Sequence, residues 1–396
     1  MLFLAHSFPR FDGDVAGSFL LRFAIALAEV DVEVRVVAPA APGLAASDTV
    51  QGIPVRRFRY APRRHETLAY TGAMAETARG SWGGMVALAG LLAAGAAATR
   101  EAVRAWRPDV VHAHWWFPGG LSAALPTVAG ARPLVLTMHG SDVRLARNAR
   151  AAHRLLDFVV RRAAAVTAVS SWLCTEARAM APRLECAVAP MPVDAARYTP
   201  PAADAPRAGL LFVGRLTRQK GADALLDAFA RMRTRTTLDV VGRGPEEAAL
   251  RARAAALGVA DRVRWHDPEP PAALAPWYQG AVALAVPSVE EGLGLVAVEA
   301  LLCETPVVAF ASGGIVDVVR EGETGLLAPA GDVDAFAAQL DRLVSDPALT
   351  RRLGAAGRAQ MEARFTPHAV AARYRAVYDA VTGPAGGASH ARPNAA

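Results

Sequence analysis

Lysine is all but missing from this chain. Of its 43 Lys and Arg residues, only Lys220 is lysine. On a solvated surface the two cations exchange readily. Where a compact point charge must meet a phosphate they do not. The lone lysine stands in Phe212-Val213-Gly214-Arg215-Leu216-Thr217-Arg218-Gln219-Lys220-Gly221, which reads as a buried strand, a tight turn and a helix start. Cysteine is scarce as well. Cys174, Cys186 and Cys303 form neither a disulfide framework nor a metal-ligand spacing, which fits a reducing cytoplasm. No set of His, Cys and carboxylate residues is read as a metal-ligand cluster, so no metal is expected. Met1-Leu2-Phe3-Leu4-Ala5-His6 has no charged region or cleavage site, and no signal peptide is expected. The longest weakly polar run, Gly83 to Thr99, is rich in Ala and Gly, short for a membrane span, and leads into Arg100-Glu101. It reads as a core helix.

What is present is apolar and well mixed. The hydrophobic fraction is 53% of 396 residues, enough for two domains with separate cores. Charge is unevenly divided. Residues 1–195 carry 21 basic and 15 acidic side chains, and residues 196–396 carry 22 of each, so the whole net charge of +6 lies in the first half. Arg56, Arg57, Arg59, Arg63 and Arg64 cluster there, interleaved with Phe58, Tyr60 and His65. Such a cluster suits an anionic membrane surface or an acidic acceptor, or forms a solvated loop. No nucleic-acid-binding motif accompanies it, and no nucleic-acid partner is expected.

Strand and helix patterns alternate throughout, which predicts parallel sheets covered by helices. In the first half, strands are expected at Leu2–His6, Val32–Ala38, Asp109–His114, Leu134–Met138, Ala165–Val169 and Glu185–Ala189. The stretch holding the arginine cluster reads as irregular. Pro190, Pro192, Pro200, Pro201 and Pro206 make a linker. A second alternating set starts at Leu210–Val213. The resulting organisation is an acceptor domain over 1–195, a second domain over 196–366, a final helix over 367–385 packing back on the first, and a disordered tail over 386–396. Both domains are doubly wound α/β, with ligands expected at the carboxyl ends of the strands.

Several loops at those ends carry chemistry. Glu291-Gly292-Leu293-Gly294-Leu295-Val296-Ala297-Val298-Glu299 sets one carboxylate in a glycine-flexible loop and another on the helix that follows. Such glycines let backbone N–H groups approach an anion at a helix N-terminus. A carboxylate about one turn into the helix suits ribose hydroxyls; alternatively, Glu299 is an ordinary helical glutamate. Ser312-Gly313-Gly314-Ile315 is a second candidate anion nest. With Arg215 and Lys220 after the first strand of this half, these loops describe a pocket for a nucleoside diphosphate. In the first half, Thr137-Met138-His139-Gly140-Ser141-Asp142 ends one strand and His112-Ala113-His114-Trp115-Trp116 ends another. Their aromatic rings suit stacking on a sugar or, equally, a domain contact. Asp12-Gly13-Asp14-Val15-Ala16-Gly17-Ser18 precedes a helix and can turn N–H groups toward a phosphate.

With these elements together, the chain resembles the retaining glycosyltransferases of family 4, which have the GT-B fold: two Rossmann-like doubly wound domains facing across a cleft. The likeness runs from the early glycine loop to the last helix. It rests on the Glu291-x7-Glu299 element, the Arg215 and Lys220 pair, and His139-Gly140-Ser141-Asp142. Pro190-Met191-Pro192-Val193-Asp194 resembles the interdomain segment, with Pro192 where glycine is more usual. The chain departs from the pattern at Val30-Asp31, usually Gly-His, and in having one close-packed glycine, Gly17, in the early loop. The resemblance implies that Arg215 and Lys220 neutralise the leaving diphosphate and Glu299 holds the ribose. Glu291 with the N–H groups of Gly292, Leu293, Gly294 and Leu295 would hold the sugar and phosphate. His139 would contact the donor sugar, and Gly17 the diphosphate. His114, Trp115 and Asp142 are candidates for the acceptor side.

The implied reaction moves a sugar from a nucleotide-diphosphate sugar, the co-substrate, to a hydroxyl of a glycan or lipid-linked acceptor. No cofactor is required. Cell-surface glycan, exopolysaccharide or glycolipid synthesis would be the setting, in the cytoplasm and peripheral to the inner membrane face. Two alternatives stay open: another GT-B enzyme, such as a sugar-nucleotide epimerase, and a non-catalytic sugar-binding module. A pyridoxal phosphorylase fits poorly, because the only lysine occupies the phosphate position.

Overall fold

The computed structural model describes residues 1–383, apart from 71–73, 126, 127, 129–131, 148, 203 and 204. The expected tail at 386–396 and the end of the expected helix 367–385 lie outside these residues. Two compact units form: residues 1–192 with the chain from Pro367 onward, and Val193–Thr366.

The first unit holds an eight-stranded sheet: β1 (Leu2–Leu4), β2 (Arg35–Pro39), β3 (Ser47–Val50), β4 (Ile53–Phe58), β5 (Val111–His114), β6 (Leu134–Met138), β7 (Ala165–Ala168) and β8 (Ala187–Val188), in the order β3-β4-β2-β1-β5-β6-β7-β8. All its pairings are parallel except β3 with β4. Leu2, Phe3 and Leu4 are buried, as an internal parallel strand covered on both faces requires. Phe3 stacks on Phe23 of the helix Ser18–Ala28 at 5.4 Å, and Phe23 meets Tyr374 of the helix Pro367–Thr382 at 4.5 Å. The last helix is therefore part of the first unit's core. Tyr374 Oη donates to the Ala189 carbonyl (2.9 Å), and Tyr378 Oη meets His112 Nδ1 (2.8 Å).

The arginine-bearing stretch is not irregular. β3 and β4 form a hairpin whose two-residue turn, Gln51 (φ 46°) and Gly52 (φ 82°), lies in the left-handed region that suits the twist of paired strands. Alternation along β4 then splits the arginines. Arg57 points inward and is 3% exposed, donating to the Phe8 carbonyl (3.3 Å), the Pro9 carbonyl (2.5 Å) and Tyr70 Oη (3.0 Å). Arg56 pairs with Glu101 (2.6 Å) and Arg59 with Glu66 (3.3 Å). This corrects the expected five-arginine surface: strand periodicity buries one member, and acidic neighbours neutralise two. Arg63 and Arg64 remain exposed in the turn Arg63–His65.

A second expectation also fails. Cys174 and Cys186 are joined in a disulfide with Cα atoms 5.6 Å apart, because the helix Ser171–Met180 turns back onto β8. Cysteine usage thus carries no argument for a reducing compartment. The weakly polar run forms the helix Trp82–Trp106, long and apolar enough by composition to cross a membrane. One face packs inside the unit through Ala87, Leu91 and Ala98, while Trp82, Met85 and Val86 are exposed.

The second unit holds a six-stranded parallel sheet: β9 (Leu210–Val213), β10 (Leu238–Val241), β11 (Val263–His266), β12 (Ala283–Val286), β13 (Val307–Phe310) and β14 (Gly325–Ala328), ordered β11-β10-β9-β12-β13-β14. Phe229, Phe310 and Phe336 anchor its core. In both sheets the strand order reverses at one place: between β1 and β5 in the first, and between β9 and β12 in the second. A crevice opens at such reversals, outside the carboxyl ends of the strands.

Candidate active site

In the second unit the reversal brings Lys220 and Glu291 together. Lys220 ends the turn Arg218–Lys220 after β9, and Glu291 lies in the loop after β12. Lys220 Nζ donates to Glu291 Oε2 at 2.6 Å, with both side chains partly buried. The turn is fixed from behind. Gly221 has φ 67°, and a Cβ there would meet the Pro287 carbonyl oxygen at 2.1 Å. Val289 N–H donates to the Gln219 carbonyl (3.0 Å). On its other side the Glu291 loop is tied to the Ser312-Gly313 nest. Glu290 N–H donates to Ser312 Oγ (2.9 Å), and Gly314 N–H donates to the Glu291 carbonyl (2.7 Å). Gly313 (φ 75°) admits this approach, since a Cβ would sit 2.5 Å from that oxygen. Three loops are thus locked around one cation–carboxylate pair.

The glutamate loop enters the helix Leu295–Leu302 through Gly294, whose φ of 87° is left-handed. Glu299 is 6% exposed, and Tyr278 Oη donates to its Oε2 at 2.8 Å. Burial first, and the Glu299 charge second, push the Tyr278 hydroxyl well above its usual range, so it stays a donor at neutral pH. Thr305 Oγ1 donates to the Tyr278 carbonyl (2.6 Å) and accepts from Arg207 (2.6 Å). Tyr278 had no signal in the sequence reading; an aromatic on a short helix usually fills core. Arg215 is exposed just after β9.

In the first unit the reversal gathers histidines and aromatics. His114 Nδ1 lies 3.2 Å from His139 Nε2, and the Trp115 ring is 4.6 Å from His139. His112 packs behind them, with Thr137 Oγ1 at 2.7 Å. Burial, reinforced by the neighbouring rings, holds His114 and His139 well below the usual imidazole range; burial alone pushes His112 down to about 3 and His6 to about 4. At neutral pH the cluster is uncharged. His139 can orient a hydroxyl but carries no positive charge to it. Trp115 adopts φ 62°, an uncommon conformation for a bulky residue.

Asp142 imposes that conformation. Its Oδ1 accepts from the N–H groups of His139 (3.1 Å) and Gly140 (2.9 Å), and its Oδ2 from Trp116 N–H (2.9 Å). Trp116 Nε1 returns a bond to the Asp142 carbonyl at 2.6 Å. Asp142 and His114, expected on the acceptor side, are thus held mainly by neighbouring groups, and Asp142 also lines the cavity beside Trp115. They are 2% and 0% exposed, and they brace the ends of β6 and β5 from inside. Trp115, 7% exposed, lines an adjacent cavity with His6, Ser7 and Phe117. Gly17 has φ 72° and opens the helix Ser18–Ala28. A Cβ there would meet the Ser7 carbonyl oxygen at 2.5 Å, so glycine is needed for packing on the strand end after β1. Among the described residues, no group of three or more His, Cys, Asp or Glu is arranged to hold a metal.

Residues 16–192 match the family described as Glycosyl transferase 4-like domain, and residues 201–360 that described as Glycosyl transferases group 1. A protein of Streptomyces griseus subsp. griseus named D-inositol 3-phosphate glycosyltransferase is 30% identical over 404 residues, covering 88% of this chain and 81% of its own length. Other curated relatives of that name, at 46% and 40% identity, align over only 40% and 39% of their length, so the chain spans about two fifths of them. Among solved structures, sucrose-phosphate synthase from Thermosynechococcus elongatus matches with TM-score 0.79 at 23% identity, covering 96% of this chain and 98% of that one. Anabaena Alr3699/HepE in complex with UDP-glucose matches with TM-score 0.70 at 21% identity, covering 96% and 100%. At these identities the structural matches speak to the fold: two parallel-sheet α/β domains of the GT-B type.

Proposed function

We propose, from the premise that this chain belongs to the glycosyl transferases group 1, family 4-like, that it moves a sugar with retention from a nucleotide-diphosphate sugar to an acceptor hydroxyl. The observation that carries this reading is the Lys220–Glu291 pair, locked at the strand-order reversal of the second sheet. In the proposed reaction the bond from the anomeric carbon to the donor phosphate oxygen breaks, and the bond to the acceptor oxygen forms on the same face. The acceptor proton passes to a phosphate oxygen, and the nucleoside diphosphate leaves. Lys220 has further N–H donors beyond the one engaged by Glu291, and with Arg215 they meet the charge that develops on the leaving group. Fixed cations of this kind stabilise a transition state without reorganising. The N–H groups from Gly292 to Leu295 hold phosphate and sugar, and Glu299, oriented by Tyr278, takes the ribose. In the first unit, neutral His139 is assigned to a donor sugar hydroxyl and Gly17, at the start of the helix Ser18–Ala28, to the diphosphate.

The structural match to a protein complexed with UDP-glucose makes UDP-glucose the first donor to try. We place the acceptor among glycans or lipid-linked glycans of the cell surface, with the enzyme in the cytoplasm at the membrane face. The test is nucleotide release and binding across UDP-, GDP- and ADP-sugars. One donor should be preferred, and Lys220→Ala should lower its turnover by roughly a hundredfold or more. Equal turnover in wild type and variant would reject the site.

A further inference from the structure

We infer that the acceptor of this enzyme carries an apolar chain, and that the chain lies in the cavity beside Trp115 in the first unit. The inference rests on the glycosyl-transfer reading and names the acceptor class for it. The cavity has a volume of about 560 Å³, within the range of small-molecule sites. Its lining is mainly apolar and includes Leu68, Leu88, Trp115, Phe117, Leu145 and Leu155. Among the described residues that line it there is no arginine or lysine, and its one carboxylate, Asp142, already accepts three backbone N–H groups. A phosphorylated polyol, such as the acceptor in the relatives' names, needs cations that this wall does not offer. Burying its phosphate here would leave the charge unpaired.

The surroundings of the cavity differ in character. Leu155 is 43% exposed, and Met85, one helical turn before Leu88, is 50% exposed, so apolar surface continues outward. Arg150 and Arg154 are exposed on the helix that carries Leu155, and Arg63 and Arg64 are exposed in the segment leading to Leu68. Apolar surface flanked by arginines matches an amphiphile held in an anionic bilayer, because the cations attract the headgroup layer while the apolar wall takes the tail. The cavity also adjoins His139 through Trp115, at the strand ends where the sheet order reverses. A tail seated there leaves the acceptor's sugar beside His139. The occupant is therefore the apolar tail of a membrane-borne acceptor.

The experiment uses the full chain, its preferred nucleotide-sugar, and alkyl glucosides from butyl to decyl below their micelle concentrations, with D-inositol 3-phosphate in parallel. The expected result is kcat/KM rising by up to about fourfold per added methylene until the cavity is full. Leu155→Glu should flatten that dependence while donor hydrolysis without acceptor stays unchanged. Leu155 is partly exposed, so this variant should fold. Leu88→Gln gives a second reading from another wall. Rates independent of chain length, or preference for D-inositol 3-phosphate, would overturn the inference and leave glycosyl transfer standing. Absence of donor hydrolysis and of transfer with every nucleotide-sugar would remove both.

Discussion

Single residues show where chemistry and support part company. Asp142, Arg57 and Glu299 are all charged in sequence, and each is at most 7% exposed in the fold. Each is held by specific partners, as buried charge requires, although Arg57 Nε is left without one. The histidines differ, since burial keeps them neutral. His112 has its pKa lowered from 6.5 to about 3 in the folded protein. Below pH 6.5 the unfolded chain takes up a proton that the folded one refuses, so stability falls as pH falls. The fall is at most about 1.4 kcal/mol per pH unit for each such histidine. Above the unfolded pKa both states are neutral and the contribution is flat. His112→Gln should therefore show a shallower loss of stability on acidification than wild type. Urea unfolding at a series of pH values reads this directly, and identical slopes would refute it.

At the scale of elements, the turn after β9 decides whether the lone lysine reaches its partner. Gly221→Ala meets both a left-handed φ and the Pro287 carbonyl, so the turn must move away from β12 and carry Lys220 with it. Gly258 is the internal comparison: its φ is 68°, but nothing lies within 4 Å of a Cβ there. Gly258→Ala should cost about 1 kcal/mol of backbone strain and leave donor binding intact. Gly221→Ala should cost more and weaken the nucleotide at least tenfold, as calorimetric titration would show. Equal effects of the two substitutions would mean that the tight approach does not matter. The elements were unequally legible. Buried parallel strands such as β9, β12 and β13 announce themselves as short apolar runs between glycines and prolines. The β3–β4 hairpin does not. Its Gln-Gly turn lacks the usual Asn-Gly signal, and its alternation is written in arginine, a residue that reads as loop until one copy is found buried.

For the whole molecule, the consequence of topology is that the last helix completes the first unit. Val370, Ala371, Tyr374 and Tyr378 are buried, and the two tyrosine hydroxyls hydrogen-bond groups on β5 and after β8. Deleting residues from Pro367 onward should destabilise the first unit by several kcal/mol, given what burying such side chains contributes. Hydrogen exchange should show β5–β7 losing protection, with β9–β13 as the reference within the same chain. Unchanged protection in β5–β7 would count against the helix as a core element.

The sequence by itself determined the alternating architecture, the strand ends that carry ligands, and the candidate residues Lys220, Glu291, Glu299 and His139. These are local properties: apolar runs, glycine loops, and a charge type that cannot be exchanged. Only the tertiary structure decided which of them meet. Lys220 and Glu291 are 71 residues apart and touch because the sheet order places β12 beside β9. The same holds for the internal bracing by Asp142, the buried Arg57, the Tyr278–Glu299 bond and the Cys174–Cys186 bridge. Each depends on distant segments being folded together, and a linear pattern carries no record of that distance. The apolar cavity is the furthest case, since its walls come from loops, a long helix, the turn at Trp115 and three short helices that no local signal connects.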